Sequence, residues 1–274
     1  CRDRRGDPRL VARGRGGPIV TTREQVAATF QANRKALAGY LTRLVVREDI
    51  AEELVQQAAV RALEQESLPA DAGEMRTWFF RVATNLALDH LRKHSTWREG
   101  VLGETRGRAE EDAGFVAESR LLAGSLEMKT IAKDHLAVCF ACTLRNLRHE
   151  ESAALLLKEV YDFTVEEVAR VMGASFGQAK AWIQSARAQL KAKYDASCAL
   201  VTQEGVCFQC VELDRFFQAD QGDPLAGTAR DVPARLAIVR ERREAPLGPW
   251  HRQMMRLVED VLDDGPSISR KRER

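Results

Sequence analysis

The sequence predicts an all-α protein: two small helical domains joined by a flexible linker, then a Cys-rich helical extension. Three observations carry this. Apolar residues recur at helical spacing through three successive segments between residues 24 and 94. A helix-turn-helix pattern with its own caps occupies residues 164–193. Two further amphipathic stretches, 232–243 and 250–262, close the chain.

A chain of 274 residues, 45% hydrophobic and 30% charged, is long enough for two small domains. No apolar run reaches the length of a bilayer span, and the first residues hold no apolar signal-peptide core. The expected location is the cytoplasm, with no membrane partner. Structural disulfides are rare there, so clustered cysteines point to metal or redox chemistry. A net charge of +2 means that any nucleic-acid contact must use local charge or a partner protein. Catalysis is not expected: the Gly/Arg run at 13–17 lacks the GK[ST] of a phosphate loop, and no nucleophile–base set is apparent.

Residues 1–23 carry seven Arg and two Asp among Gly and Pro, with no helical or strand period, and are expected to be a disordered basic tail. From 24 to 46, Val26, Phe30, Leu37, Leu41, Leu44 and Val45 follow a helical period. After a short break at 47–49, Ile50, Leu54, Ala58 and Ala62 line one face of a second helix. Its opposite face carries Glu52, Glu53, Gln56, Gln57 and Arg61. A loop containing Ser67, Pro69 and Gly73 leads to a third helix over 74–94. Trp78, Phe79 and Phe80 are consecutive there and cannot all face one core. At least one ring is expected at a boundary, where it can stack on a base, while core packing accounts for one or two. Arg76, Arg81, Arg92 and Lys93 add cations along this helix.

In the helix-turn-helix, Thr164 and Glu167 stand at capping-box spacing, and Val165, Val168, Ala169 and Met172 form the apolar stripe. Gly173 suits a left-handed helix end and Ser175 the next cap. Ala179, Ile183, Ala186 and Leu190 are expected inward, with Gln178, Lys180, Gln184 and Arg187 outward. Such a helix can lie in a major groove, its amides reading base edges and its cations holding phosphates. Two amphipathic helices joined by a Gly turn also occur in all-α domains that bind no DNA.

The run DIAEELVQQAAVRALEQ followed by RTWFFRVATNLALDHLRK resembles the promoter-opening domain of the sigma-70 superfamily, nearest its small extracytoplasmic-function (ECF) type. The later EESAALLLKEVYDFTVEEVARVMGASFGQAKAWIQSARAQLK resembles that family's second, helix-turn-helix domain. The resemblance implies domains at 24–94 and 134–195, a linker at 95–133, a Cys-rich helical extension at 196–264 and a basic tail at 265–274. It implies core RNA polymerase and promoter DNA as partners, with an anti-sigma or other regulatory protein as a further one. Asp49, Glu52, Glu53, Gln56, Gln57 and Arg61 would dock on polymerase, an acidic, amide-rich face suiting a basic partner. Ser67 falls in the segment that captures a flipped −10 base. Trp78, Phe79, Arg81, Asn85, Arg92 and Lys93 match the strand-melting helix, and Gln178, Lys180, Trp182, Gln184 and Arg187 the helix reading the −35 element. ECF proteins commonly have VKSRLHRAR where this chain has AKAWIQSAR, so Trp182 and Ser185 stand at usually basic positions. Fewer cations weaken phosphate anchoring, and Trp182 suits packing against added structure. The other reading is a metal- or redox-responsive regulator, or an anti-sigma-like binding protein, that keeps the fold without initiating transcription.

Cys139-x-x-Cys142 lies on an expected helix with His135 one turn earlier. This His-x3-Cys-x2-Cys spacing resembles the zinc motif of a class of anti-sigma factors. Cys207-x-x-Cys210 follows the helix-turn-helix, with Cys198 before it. Two CxxC pairs supply the four thiolates of a tetrahedral zinc, so Cys139, Cys142, Cys207 and Cys210 form the favoured set, with His135 and Cys198 as substitutes. Structural zinc, a metal- or oxidant-sensing site and unligated buried thiols are the competing readings.

Overall fold

Local capping sets where the helices begin. In the computed structural model, which describes residues 22–65, 67–94, 101–123, 127–197 and 232–263, Thr22 opens α1 (Arg23–Val45) with a capping box. Its hydroxyl accepts from Gln25 N at 3.2 Å, and Gln25 Oε1 accepts from Thr22 N at 2.9 Å. Val46, left-handed at φ 60°, ends the helix and turns the chain into α2 (Glu48–Leu63). Asp71 caps α3 (Ala72–Lys93), accepting from Glu74 N at 2.9 Å. Leu37, Leu41, Leu54, Ala58, Met75, Phe79 and Ala83 interlock as the core of this three-helix unit.

The second unit comprises α6 (Met128–Leu144), α7 (His149–Glu159), α8 (Val165–Met172) and α9 (Phe176–Ser197). Every cap expected in the helix-turn-helix is present. Thr164 and Glu167 exchange both capping-box bonds, Gly173 is left-handed at φ 63°, and Ser175 Oγ accepts from Gln178 N at 3.2 Å. Ala179, Ile183, Ala186 and Leu190 are buried, as their spacing required.

The region expected as a flexible linker differs. Residues 101–123 form α4 (Val101–Glu111) and α5 (Ala113–Ala123). These helices pack against α11 (Pro249–Asp263), burying Val101, Ala109 and Phe115 against Met254, Val258 and Val261. Buried Gln253 fixes the register, accepting from Ser119 Oγ and donating to the Phe115 carbonyl, both at 2.9 Å. The apolar residues of 101–123 gave no sign of a packed unit in the sequence because their partners lie far along the chain. The remaining helix, α10 (Val232–Glu241), packs on α6, with Lys133 paired to Glu241 at 2.9 Å. All regular structure among the described residues is helical. Of the basic tail expected over 1–23, Thr22 and Arg23 instead cap and begin α1; the rest of it lies outside the described residues, as do the tail at 265–274 and Cys198, Cys207 and Cys210.

The two main units share one continuous core. Tyr40 of α1 and Phe80 of α3 meet Tyr161 and Phe163 from the turn before α8, with ring centroids 4.9–5.8 Å apart. Burial raises the proton affinity of both tyrosine hydroxyls, keeping them neutral. Tyr40 Oη donates to Thr84 Oγ1 at 2.9 Å, whose own proton goes to the Phe80 carbonyl at 2.7 Å, and Tyr161 Oη donates to the Arg243 carbonyl at 3.1 Å. Arg76 stacks over Phe163 at 4.0 Å and donates to the Tyr161 carbonyl at 2.8 Å.

Candidate nucleic-acid interface

The 3.6-residue period of α2 turns Ala51, Leu54, Val55, Ala58 and Ala62 inward, which leaves the polar set outside. Asp49, Glu53, Gln56, Gln57 and Arg61 are exposed and Glu52 is half-buried. Gln57 Nε2 donates to Glu53 Oε1 at 3.0 Å, Arg34 pairs with Glu52, and Arg47 holds the Asp49 carboxyl below the usual carboxylate range. Val60 and Leu63, 52% and 59% exposed, extend the same helix with apolar surface. The face combines negative charge, amide groups and a greasy end.

The aromatic run on α3 divides by burial. Trp78 is half-buried at the surface, whereas Phe79 and Phe80 are fully buried. Phe79 is therefore corrected as a DNA-binding residue: its ring lies 5.5 Å from Phe30 and 5.3 Å from Trp78, inside the core and out of reach of a base. Arg81, Asn85, Arg92 and Lys93 are exposed on α3, and Ser67 is exposed in the loop before it. Arg92 is engaged within the protein, donating to Asp89 and to Glu150 of α7, both at 3.1 Å.

On α9, Gln178, Lys180 and Gln184 are exposed, Lys180 and Gln184 on one face at i,i+4 spacing. Trp182, expected on the −35-reading helix with packing against added structure as its other role, is half-buried against the main core. Arg187 is half-exposed, and its guanidinium is held by Glu159, which also accepts from Arg240 at 3.2 Å. The expected phosphate contact of Arg187 is thus met in this conformation by a carboxylate. Sequence periodicity could not reveal this, since Glu159 stands 28 residues away.

Cys139 and Cys142 lie half-buried on α6. His135 is buried edge-on against Trp250 at 5.3 Å, and desolvation pushes its pKa down to about 4, keeping the imidazole neutral. His251 of α11, which the spacing of motifs did not single out, brings Nδ1 to 4.0 Å from Cys142 Sγ. Among the described residues no three His, Cys, Asp or Glu side chains gather as a metal site. The favoured ligand set also needs Cys207 and Cys210, which lie outside them.

Residues 29–96 match the family described as Sigma-70 region 2, and residues 137–190 match Sigma-70, region 4. With both domains present in this order, the chain is similar to proteins of the sigma-70 family, and the relatives it matches include ECF sigma factors. Among its relatives is ECF RNA polymerase sigma factor SigG of Mycobacterium tuberculosis, 27% identical over 187 residues, or 64% of this chain and 50% of SigG. Probable ECF RNA polymerase sigma factor SigI of the same organism is 22% identical over 226 residues, covering 80% of this chain and 74% of SigI. ECF RNA polymerase sigma-E factor of Haemophilus influenzae is 27% identical over 165 residues, covering 57% and 80% respectively. The chain spans about half the length of SigG. No helix among the described residues is long and apolar enough to cross a membrane.

Proposed function

We propose that this chain is a transcription initiation factor that binds core RNA polymerase, recognises −10 and −35 promoter elements and opens the −10 region, without catalysis of its own. The observation that carries the reading is the pairing of α2 with α3 in one unit. An outward acid and amide face precedes a helix whose surface offers Trp78, Arg81, Asn85 and Lys93. A repressor has no use for either. Unstacking a base costs a few kcal/mol, which one aromatic platform and phosphate contacts offset. Gln178, Lys180 and Gln184 of α9 supply groove contacts from the second unit.

In the same reading, Cys139, Cys142, Cys207 and Cys210 hold a structural zinc that ties the extension to the helix-turn-helix unit. The two half-buried cysteines one turn apart on α6 support it, as does the neutral His135 as a substitute ligand. The test is run-off transcription with core polymerase, with and without a zinc chelator, alongside metal analysis of the purified chain. Discrete transcripts are expected, falling when zinc is removed. No polymerase binding and no transcripts with zinc present would overturn the initiation reading. A metal-free chain of full activity would overturn the zinc.

A further inference from the structure

Between α10 and α11 the chain crosses the junction of the two promoter-binding units and bonds to both. Arg43 of α1, buried at 2% exposure, donates to the carbonyls of Arg242 and Arg243, the latter at 2.7 Å. From the other unit, Tyr161 Oη donates to the same Arg243 carbonyl at 3.1 Å. Charged contacts reinforce the crossing. Arg243 pairs with Asp162 at 3.0 Å, and Arg240 with the Glu159 carboxylate that also holds Arg187 of the reading helix.

Gly39 shows that α1 is shaped for this segment. It sits inside a helix, where glycine is less favourable than alanine by about 1 kcal/mol. A methyl group there would overlap the Arg243 carbonyl oxygen and lie 3.0 Å from Tyr161 Oη. The glycine allows the main chain of the crossing segment to touch the helix.

In this arrangement the units cannot serve two separated promoter elements. Elements centred near −10 and −35 lie about 25 base pairs apart, roughly 85 Å of duplex. Here Arg92 of α3 touches Glu150 of α7 at 3.1 Å, and Arg76 of α3 bonds the turn before α8. Two cations of the expected DNA face, Arg92 and Arg187, are meanwhile spent on protein carboxylates.

We propose that residues 240–248 form an intramolecular strap that holds the two units closed, and that the strap must leave before the chain can engage a promoter. The proposal rests on the initiation reading above for its consequence, though closure itself does not depend on it. The strap is built to be released. It covers a guanidinium whose charge is costly to bury and is met chiefly by carbonyls, and release returns that charge to water.

The test is Gly39→Ala in the full chain, which favours the helix while blocking the strap. The double variant Arg240→Ala/Arg243→Ala, which removes the strap's ion pairs to Glu159 and Asp162 and its bonds to the Glu159 and Val160 carbonyls, is the second arm. Amide hydrogen exchange over 238–248 is expected to accelerate in both. Run-off transcription with core polymerase is expected to rise about tenfold or more, since a binding-competent state populated at 10% or less gains by that factor when freed. Exchange unchanged from wild type in both variants would overturn the strap. Faster exchange with transcription equal to wild type would overturn its inhibitory role. Faster exchange with no transcripts from wild type or variant would overturn the initiation reading itself, and the inhibitory role with it.

Discussion

Phe79→Ala and Trp78→Ala separate packing from DNA contact within two adjacent residues. Phe79 has no exposure and its ring touches those of Phe30 and Trp78. Truncation leaves a cavity lined by those rings and costs about 3–5 kcal/mol. With a urea dependence of about 2 kcal/mol per molar, the unfolding midpoint should fall by roughly 2 M. Trp78 is only half-buried, so its truncation should cost less stability than that of Phe79. What it should lose is a stacking surface worth about 1–3 kcal/mol per base, or about 5- to 150-fold in promoter opening. The assays are urea unfolding followed by circular dichroism, and permanganate reactivity of −10 thymines in the presence of core polymerase. The expected pattern is a stability defect for Phe79→Ala and an opening defect at near-native stability for Trp78→Ala. If Phe79→Ala unfolded within about 1 kcal/mol of wild type yet failed to open DNA, the assignment of Phe79 to the core would be refuted.

Thr164→Ala should destabilise the helix-turn-helix by about 1 kcal/mol through loss of the capping box, measurable as a lower urea midpoint; an unchanged midpoint would show the cap to be dispensable. Glu159→Gln should release Arg187 for a phosphate, steepening the slope of log affinity against log salt on duplex DNA by about 0.9. Arg187→Gln in the otherwise native chain should leave that slope unchanged. Glu53→Lys, on the exposed face of α2, should weaken binding to core polymerase, more at low than at high salt, and leave the unfolding midpoint within about 0.5 kcal/mol of wild type. Equal loss at all salt concentrations would argue against an electrostatic docking face.

Much of this protein is legible along the chain because its determinants are local. Caps such as Thr164–Glu167 and Gly173 act within one turn, and the burial of Ala179, Ile183, Ala186 and Leu190 follows from the helical period. The outward face of α2 follows from the same rule. The box formed by Thr22 and Gln25 was equally available in the sequence and would have fixed the start of α1. Periodicity also required that the rings at 78, 79 and 80 be divided between core and surface, but not how.

What tertiary structure alone decided is set by contacts between distant residues. Phe79 is core because Phe30 lies across from it, and residues 101–123 are helical because α11 supplies their apolar partners about 140–160 residues later. The same holds for Glu159, which takes both Arg187 and Arg240, and for Gly39, which a helix read in isolation would simply count as a weak position. Charge pairing and close main-chain approach have no period and no fixed spacing. They exist only once the chain has brought its two units and its extension together.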